Sequence, residues 1–521
     1  MTFRKMVGDL LCKLIARLFP AGAAHRAMIT NTSGAVMIVF GLAVIPLVGF
    51  VGAAVDFANA YQLRSRLQNA LDAAALAAGR EMDLGSTEAN ARQTANRVLE
   101  VNLGPDFPRG YSAQFTFSGS RIQAHASVNV STYFMGILGT EVLPVGASST
   151  VSLAGGTLEV VMVLDNSGSM RGSKLADLKN AARNLTQILF QSNNDPDRVR
   201  IGIVPFAATV NVGTQYANAS WMDTNAQSSI HNENFSPPTN RFTLFNNLRG
   251  ASWGGCVETR PSPHDVTDTA PVGGDTLFVP YFAPDEPDRR FRTYYANNYI
   301  NDNGGSCPRR PRNQTQEQAQ ENSCKYNRAR VSSRAPGPNY LCDSQPITPL
   351  TNSQATVMNA ISNMVARGRT NIHQGVMWGW RVLSPGEPFT EGRRYDVADN
   401  RKFMIVMTDG ANTHRGRSNQ NMSDYSAYGY SKHERLRAAT RSTSRLVQAM
   451  NSRTSTTCTN AKAAGITVFT IAFAFNDPAT LAMLRNCASG SARAFRIDNG
   501  NALIAVFEAI AGEINRLVIS S

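Results

Sequence analysis

Residues 158–170, LEVVMVLDNSGSM, decide how this chain is read. The long, mostly apolar run is what a strand covered on both faces of a parallel sheet needs. It stops at Asp165, Asn166, Ser167, Gly168 and Ser169, a cluster of hard oxygen donors. In open α/β sheets, ligands bind beyond the carboxyl ends of the strands. An acid there is placed for a ligand and not for the core. The pattern continues outward as a strand–helix alternation. SKLADLKNAARNLTQILFQ is an amphipathic helix, and VRIGIVPFAATVNV gives one or two strands. After a break come helices in ATVMNAISNMVAR and NIHQGVMWGWRVL, then the strand KFMIVMTDG. Helices near HERLRAATRSTSRLVQAM and TNAKAAG, the strand ITVFTIAFAF, the helix DPATLAMLRNCAS, the strand ARAFRID and a last helix follow. This predicts a doubly wound, Rossmann-like parallel sheet over residues 157–519. The break at about 213–349, rich in Asn, Pro, Arg and Gly, is expected to be one large loop insertion.

Two further loops fall where the first one does. Asp409 ends the strand FMIVMT, and Thr370 precedes the helix NIHQGVMWGW. Asp165, Ser167, Ser169, Thr370 and Asp409 would converge at one edge of the sheet. Two carboxylates and three hydroxyls suit a hard divalent ion of octahedral preference, Mg²⁺ first, with Mn²⁺ and Ca²⁺ sharing that chemistry. Two negative charges leave a coordination position open for water or for a partner's carboxylate. The competing reading is that these groups only cap helices, with Ser169 or Ser173 as an N-cap.

Three other motifs are weaker. GSMRGSK at 168–174 resembles a phosphate-binding loop, but its second glycine comes one residue early and Leu175 replaces Ser or Thr. Gly250-Ala251-Ser252-Trp253-Gly254 fits the nucleophile pattern G-x-S-x-G, yet neither a buried strand before it nor a helix after it is expected. An envelope hydrolase using Ser252 is therefore the enzymatic alternative to a binding module. His373, beside Thr370, reads as a packing residue and not as a ligand.

From Gly34 to Val55 the chain has no charged residue and is long enough for a bilayer core of about 30 Å. Arg4, Lys5, Lys13, Arg17 and Arg26 precede it against one acid, Asp9. The positive-inside rule then puts residues 1–33, a basic leader, in the cytoplasm and everything beyond Asp56 outside. A cleaved signal peptide, suggested by Ala58-Asn59-Ala60, would need a shorter apolar region nearer Met1. Residues 56–152 read as a long Ala- and Leu-rich helix with Leu63, Leu67, Leu71 and Ala74 on one stripe. A second helix and alternating strands follow, making a small α+β, pilin-like module.

Of the 7 cysteines, only Cys12 precedes the apolar stretch. Cys256, Cys307, Cys324, Cys342, Cys458 and Cys487 follow it, as expected for disulfides in an oxidising compartment. No C-x-x-C pair suggests zinc. Cys458 lies near the end of the helix entering ITVFTIAF, and Cys487 ends the helix leaving it. Consecutive crossover helices on one face are neighbours, so these two are expected to pair. The other four would pair among themselves in an unassigned order. The net charge of +13 raises nucleic acid as a partner. The basic clusters at 307–312 and 328–334 lack interleaved aromatics, which argues against it.

Both halves resemble known families. NTSGAVMIVFGLAVIPLVGFVGAAVDFANAYQLRSRLQNALDAAALAAGR is similar to the N-terminal module of TadG-like proteins of Flp/Tad pilus assembly. Val39 stands where pseudopilin relatives carry a processing glutamate, which favours a retained anchor. Asp165-x-Ser167-x-Ser169, Thr370 in GRTN and Asp409 in MTDG resemble the metal-ion-dependent adhesion site of von Willebrand factor A domains. By that resemblance Ser167 and Ser169 ligate directly, while Thr370, Asp165 and Asp409 do so directly or through water. WGGCVETR and TLFVPYFAPDEPD resemble the A-domain region of TadG-like proteins. The resemblances imply a non-catalytic, single-pass inner-membrane pilus or secretion component that binds another pilus or envelope protein. A surface adhesin for a host protein is the alternative that cell fractionation would separate.

Overall fold

A computed structural model describes residues 33–83, 86–118, 121–152, 156–191, 197–288, 293–308, 313–332, 336–397 and 399–519. The basic leader, Ser33 apart, lies outside them. The chain divides into two compact units, one ending at Ser152 and the other holding residues from Leu153 onward.

The first unit begins with α1, Ser33–Asp83. Among the described residues no helix is long and apolar enough to cross a membrane; the side chains at 34–39, 42, 45 and 46 are outside that description. In its second half Leu67, Ala70, Leu71, Ala74, Ala75 and Ala78 are buried. They recur at the spacing that puts side chains on one helical stripe. α2, Glu88–Leu103, buries Ala91, Ala95, Leu99 and Leu103 at four-residue steps, and Thr87 caps it by accepting from the Asn90 N–H. Strands β1 (Ser112–Ser118), β2 (Arg121–Ser131) and β3 (Val142–Ser152) form an antiparallel meander. In β2 Ile122, Ala124, Ala126, Val128 and Val130 point inward in strict alternation. Gln68 Nε2 donates to Ser148 O at 2.9 Å and Arg66 to Leu103 O at 2.8 Å, tying α1 to β3 and to the end of α2. Burial alone would raise the Asp56 carboxyl; N–H groups from Met135, Tyr133 and Phe134 reverse this and hold it below its usual range.

The second unit is a six-stranded sheet. Its elements are β4 (Thr157–Asp165), α3 (Ser173–Gln191), β5 (Val199–Phe206), α4 (Arg241–Asn247), α5 (Gln316–Glu321), β6 (Thr348–Thr351), α6 (Gln354–Asn363), α7 (Ile372–Leu383), β7 (Asn400–Thr408), α8 (Thr443–Ala463), β8 (Thr467–Phe473), α9 (Pro478–Cys487), β9 (Ala494–Ile497) and α10 (Gly500–Ile519). The strand order is β6-β5-β4-β7-β8-β9. All neighbours are parallel except β5 and β6. The expectation of a wholly parallel sheet is corrected at that edge. β6 returns through the long insertion, which is free to bring the chain back in either direction, and it pairs antiparallel, Ile201 with Thr351 and Ile203 with Thr348. Residues 434–442, expected to be helical, hold no helix, and one helix, α8, replaces the two expected there.

β4 explains the layering. Val160, Met162 and Leu164 face a core with Leu178, Ala182 and Leu185 of α3 and Phe507, Ile510 and Ile514 of α10. Val161 and Val163 face the opposite core, with Val376 and Trp378 of α7. There α7 approaches so closely that a Cβ on Gly379 would stand 2.5 Å from Val163 Cγ2. Every residue of α7 is buried, because the insertion covers its outer side. Trp221, Phe235, Phe278, Phe282 and Tyr326 from the insertion belong to the same core. The insertion is therefore structural and not a peripheral loop. Glu159, the charged residue within the mostly apolar run of β4, is buried at the lower end of that strand and paired with Lys402 and Arg393.

Disulfides join Cys256 to Cys342, Cys307 to Cys324, and Cys458 to Cys487. The last links α8 to α9 with a Cα separation of 5.0 Å, both sulfurs in the core. Removing it with a Cys458→Ser/Cys487→Ser pair should lower stability by about 3–4 kcal/mol in the chain-entropy account. A denaturant midpoint unchanged by the pair, or a non-reducing peptide map with Cys458 free, would count against the link.

Candidate metal centre

Strand register builds the site. β4 and β7 pair Leu164 with Met407, so Asp165 and Thr408 end the two central strands side by side, with Asp409 one step beyond. Asp165 is fully buried. Its Oδ1 accepts the Ser167 N–H at 2.7 Å, and its Oδ2 accepts the Thr408 hydroxyl at 2.6 Å. Burial pushes its carboxyl up to about 6; Thr408 and Ser167 oppose this, and the charge of Asp409 adds to it. Two buried acids at neighbouring strand ends, with the charge of Asp409 disfavouring that of Asp165, make a place that favours a cation.

The hydroxyls form a chain. Ser167 Oγ and Ser169 Oγ are 2.9 Å apart, and Ser169 Oγ donates to Asp409 Oδ1 at 2.5 Å. The Asp409 side chain is buried, and its Oδ2 holds the Lys174 ammonium at 2.7 Å. Three loops are stitched together around these groups. Gly168 N–H donates to Gly368 O at 3.0 Å, Arg367 N–H to Asn166 O at 2.8 Å, and Thr413 N–H to Thr370 O at 2.9 Å. The Asn412 side chain accepts the Ile372 N–H at 2.7 Å. The structure thus ties the Asp165–Ser169 loop to the loop carrying Thr370, and that loop to the one following Asp409.

Among the described residues, no group of three or more His, Cys, Asp and Glu side chains gathers as a metal cluster. The candidate set instead joins two acids to hydroxyls. Its all-oxygen chemistry and the ammonium already drawn to Asp409 fit a hard dication.

Lys174 is the residue the sequence reading missed. It entered only as the lysine of an imperfect phosphate loop, and its link to Asp409 depends on how α3 starts beside β7. His373 is buried, with Nδ1 2.6 Å from Tyr428 Oη and Nε2 3.0 Å from Asp265 O. Burial, with Arg453 and Arg381 nearby, pushes its imidazole down to about 3, so it is neutral packing. Ser252 is exposed in a segment that is neither strand nor helix, which is not the setting of a nucleophile elbow.

Comparison with known proteins agrees with this division. The Flp pilus-assembly TadE/G-like model (Tad) matches residues 34–81. The von Willebrand factor type A domain model matches residues 159–243. No curated protein matches the chain. Among solved structures, the vWF domain of the type V pili tip protein Mfa5 from Porphyromonas gingivalis is 11% identical, with 70% of this chain and 97% of that chain covered and a TM-score of 0.33. The pilus adhesin SpaC from Lactobacillus rhamnosus GG is 11% identical, covering 79% of this chain and 35% of that chain with a TM-score of 0.33. Proximal thread matrix protein 1 from the mussel byssus, solved with a zinc-occupied MIDAS motif, is 10% identical, covering 83% of this chain and 52% of that chain with a TM-score of 0.28. The chain joins a TadE/G-like Tad module to a von Willebrand factor type A domain.

Proposed function

We propose that the chain is a membrane-anchored, non-catalytic component of a bacterial Flp/Tad pilus assembly or secretion system, and that its A domain binds another pilus or envelope protein through Mg²⁺. The observation that carries this reading is the pair Asp165 and Asp409, buried beside two serine hydroxyls at the ends of the central strands. Ser167, Ser169, Thr370, Asp165 and Asp409 would hold the ion, which when bound supplies an open position for a carboxylate of the partner. The protein's own contribution is rigidity. The backbone bonds between the loops fix the oxygens before any partner arrives, so little ordering entropy is lost on binding. The Tad match supports the pilus context.

The test is capture of partners from envelope extract by the full chain in detergent, with Mg²⁺ and with EDTA. A partner retained equally in both rules out the metal-dependent reading. Ser252→Ala should leave capture unchanged, whereas a hydrolase using Ser252 would lose its activity.

The uncharged stretch from Gly34 to Val55 would anchor the chain in the inner membrane, with the arginines and lysines before it in the cytoplasm. A periplasm-active reporter fused after Ser521 should be active. Activity from a cytoplasmic reporter there, with the periplasmic one silent, would overturn the orientation.

A further inference from the structure

The loop between β2 and β3 has an unusual composition and an unusual attachment. Residues 132–140, TYFMGILGT, carry no charge. The loop is fixed to α1 at two points. The Asp56 carboxylate accepts three successive backbone N–H groups, from Tyr133 at 2.8 Å, Phe134 at 2.9 Å and Met135 at 2.7 Å. One turn earlier, Phe134 packs so tightly on Gly52 that a Cβ there would stand 2.5 Å from the Phe134 Cβ.

These points straddle Val55, the last residue of the uncharged stretch. At about 1.5 Å of rise per residue they lie within roughly 5 Å of it along the helix axis. If that stretch fills the bilayer core, the loop has one place to be, the outer headgroup layer. Its surface suits that place. Tyr133 is 73% exposed, and near it along α1 Phe50 is 78%, Phe57 57% and Tyr61 75% exposed. Tyrosine is enriched at this depth because its ring is apolar and its hydroxyl is wet. An acid at such a boundary is costly unless its oxygens are bonded, and three N–H groups satisfy Asp56.

We infer that residues 132–140 form a second membrane-contact element, seated in the headgroup layer and clamped to the anchor helix by Asp56 and Gly52; this rests on the anchored reading above. The occupant is lipid and not a partner helix because exposed apolar side chains surround α1 where the loop leaves it uncovered. Val48 and Phe50, both exposed, point about 160° apart at 3.6 residues per turn. A helical partner covers one stripe, whereas lipid covers every side.

The full chain, with Cys12→Ser and its disulfides intact, would be reconstituted into liposomes. A single cysteine bearing an environment-sensitive fluorophore would stand at Val48→Cys, Tyr133→Cys or, as a water-exposed reference, Val101→Cys. Quenching would be read with lipids spin-labelled near the headgroup and with aqueous iodide. Position 133 should be quenched by the lipid label at least twofold more than position 101 and be shielded from iodide. Asp56→Ala should reduce the lipid quenching at 133 and leave that at 48 intact. If 48 is quenched by lipid while 133 behaves like 101, the loop is not at the membrane and the anchor stands. If 133 escapes both quenchers, protein covers it and the lipid assignment is wrong. If 48 is not reached by lipid quenchers, the anchored reading fails and takes this inference with it.

Discussion

Replacing Glu258 by glutamine should destabilise the A domain by about 3–5 kcal/mol, the usual result of removing one partner from a buried ion pair. Glu258 is buried inside the insertion and accepts from the buried Arg241, from Arg435 and from the Tyr425 hydroxyl. Arg241 and Glu258 belong to the insertion, Arg435 and Tyr425 to the segment after β7. One carboxylate therefore locks together two stretches that have almost no regular structure. Burial alone would raise its pKa, but Arg241 and Arg435 reverse that and hold it below the ordinary glutamate range. A depressed folded-state pKa contributes stability above the unfolded value, near 4.3, and loses it as pH falls through the folded value. The contribution is thus complete at neutral pH and disappears only in acid. In Glu258→Gln the melting temperature should drop on the order of 5–10 °C at pH 7, and the difference from wild type should narrow at low pH. Asp396→Asn, which breaks the exposed pair with Arg394, should leave the midpoint unchanged. A Glu258→Gln midpoint equally unchanged would show that the insertion is held by its apolar contacts alone.

The same contrast explains what could be read from the sequence. Residues 160–164 were legible because a strand buried on both faces has no polar side to interrupt the run. Asp165, Thr370 and Asp409 were legible because each stands where an apolar element begins or ends. The insertion was not. Trp221, Phe278 and Phe282 line the core, but their spacing follows neither the period of a strand nor that of a helix. Irregular chain places them, held by disulfides and by buried acids such as Glu258 and Asp285, so no periodic pattern marks them as internal. β6 was hidden for a related reason: four residues around Pro349 offer too little alternation to separate a strand from a loop. The segment 434–442 has helix-forming composition, but Arg435 is drawn away to Glu233 and Glu258. Tertiary pairing there outweighs local propensity.

The metal prediction has the most to say about function. Mg²⁺ at a hundredfold excess over its Kd should stabilise the folded domain by about 2.7 kcal/mol, seen as a rise in melting temperature that EDTA reverses. Asp409→Ala should abolish that rise and partner capture together. Its metal-free fold should change little, because Asp165 is relieved of a like charge while Lys174 loses its carboxylate. Lys174 gives the sharper test. Its ammonium sits 2.7 Å from Asp409 Oδ2 on a side chain that is 32% exposed, so it occupies the carboxylate without being locked there. A dication has to share Asp409 with it or displace it. Lys174→Met, which keeps the length of the stem and removes the charge, should therefore tighten Mg²⁺ binding about two- to fivefold, the worth of a partly exposed ion pair. Calorimetric titration of Asp409→Ala, Lys174→Met and wild type separates the outcomes. A purified chain that melts identically in Mg²⁺ and EDTA has no metal centre, and Lys174 is then a permanent counter-ion for Asp409. If Lys174→Met binds no more tightly than wild type, the lysine does not compete for Asp409. If Asp409→Ala loses the ion but still captures its partner, recognition lies away from the strand ends, and the disulfide-linked insertion becomes the surface to map.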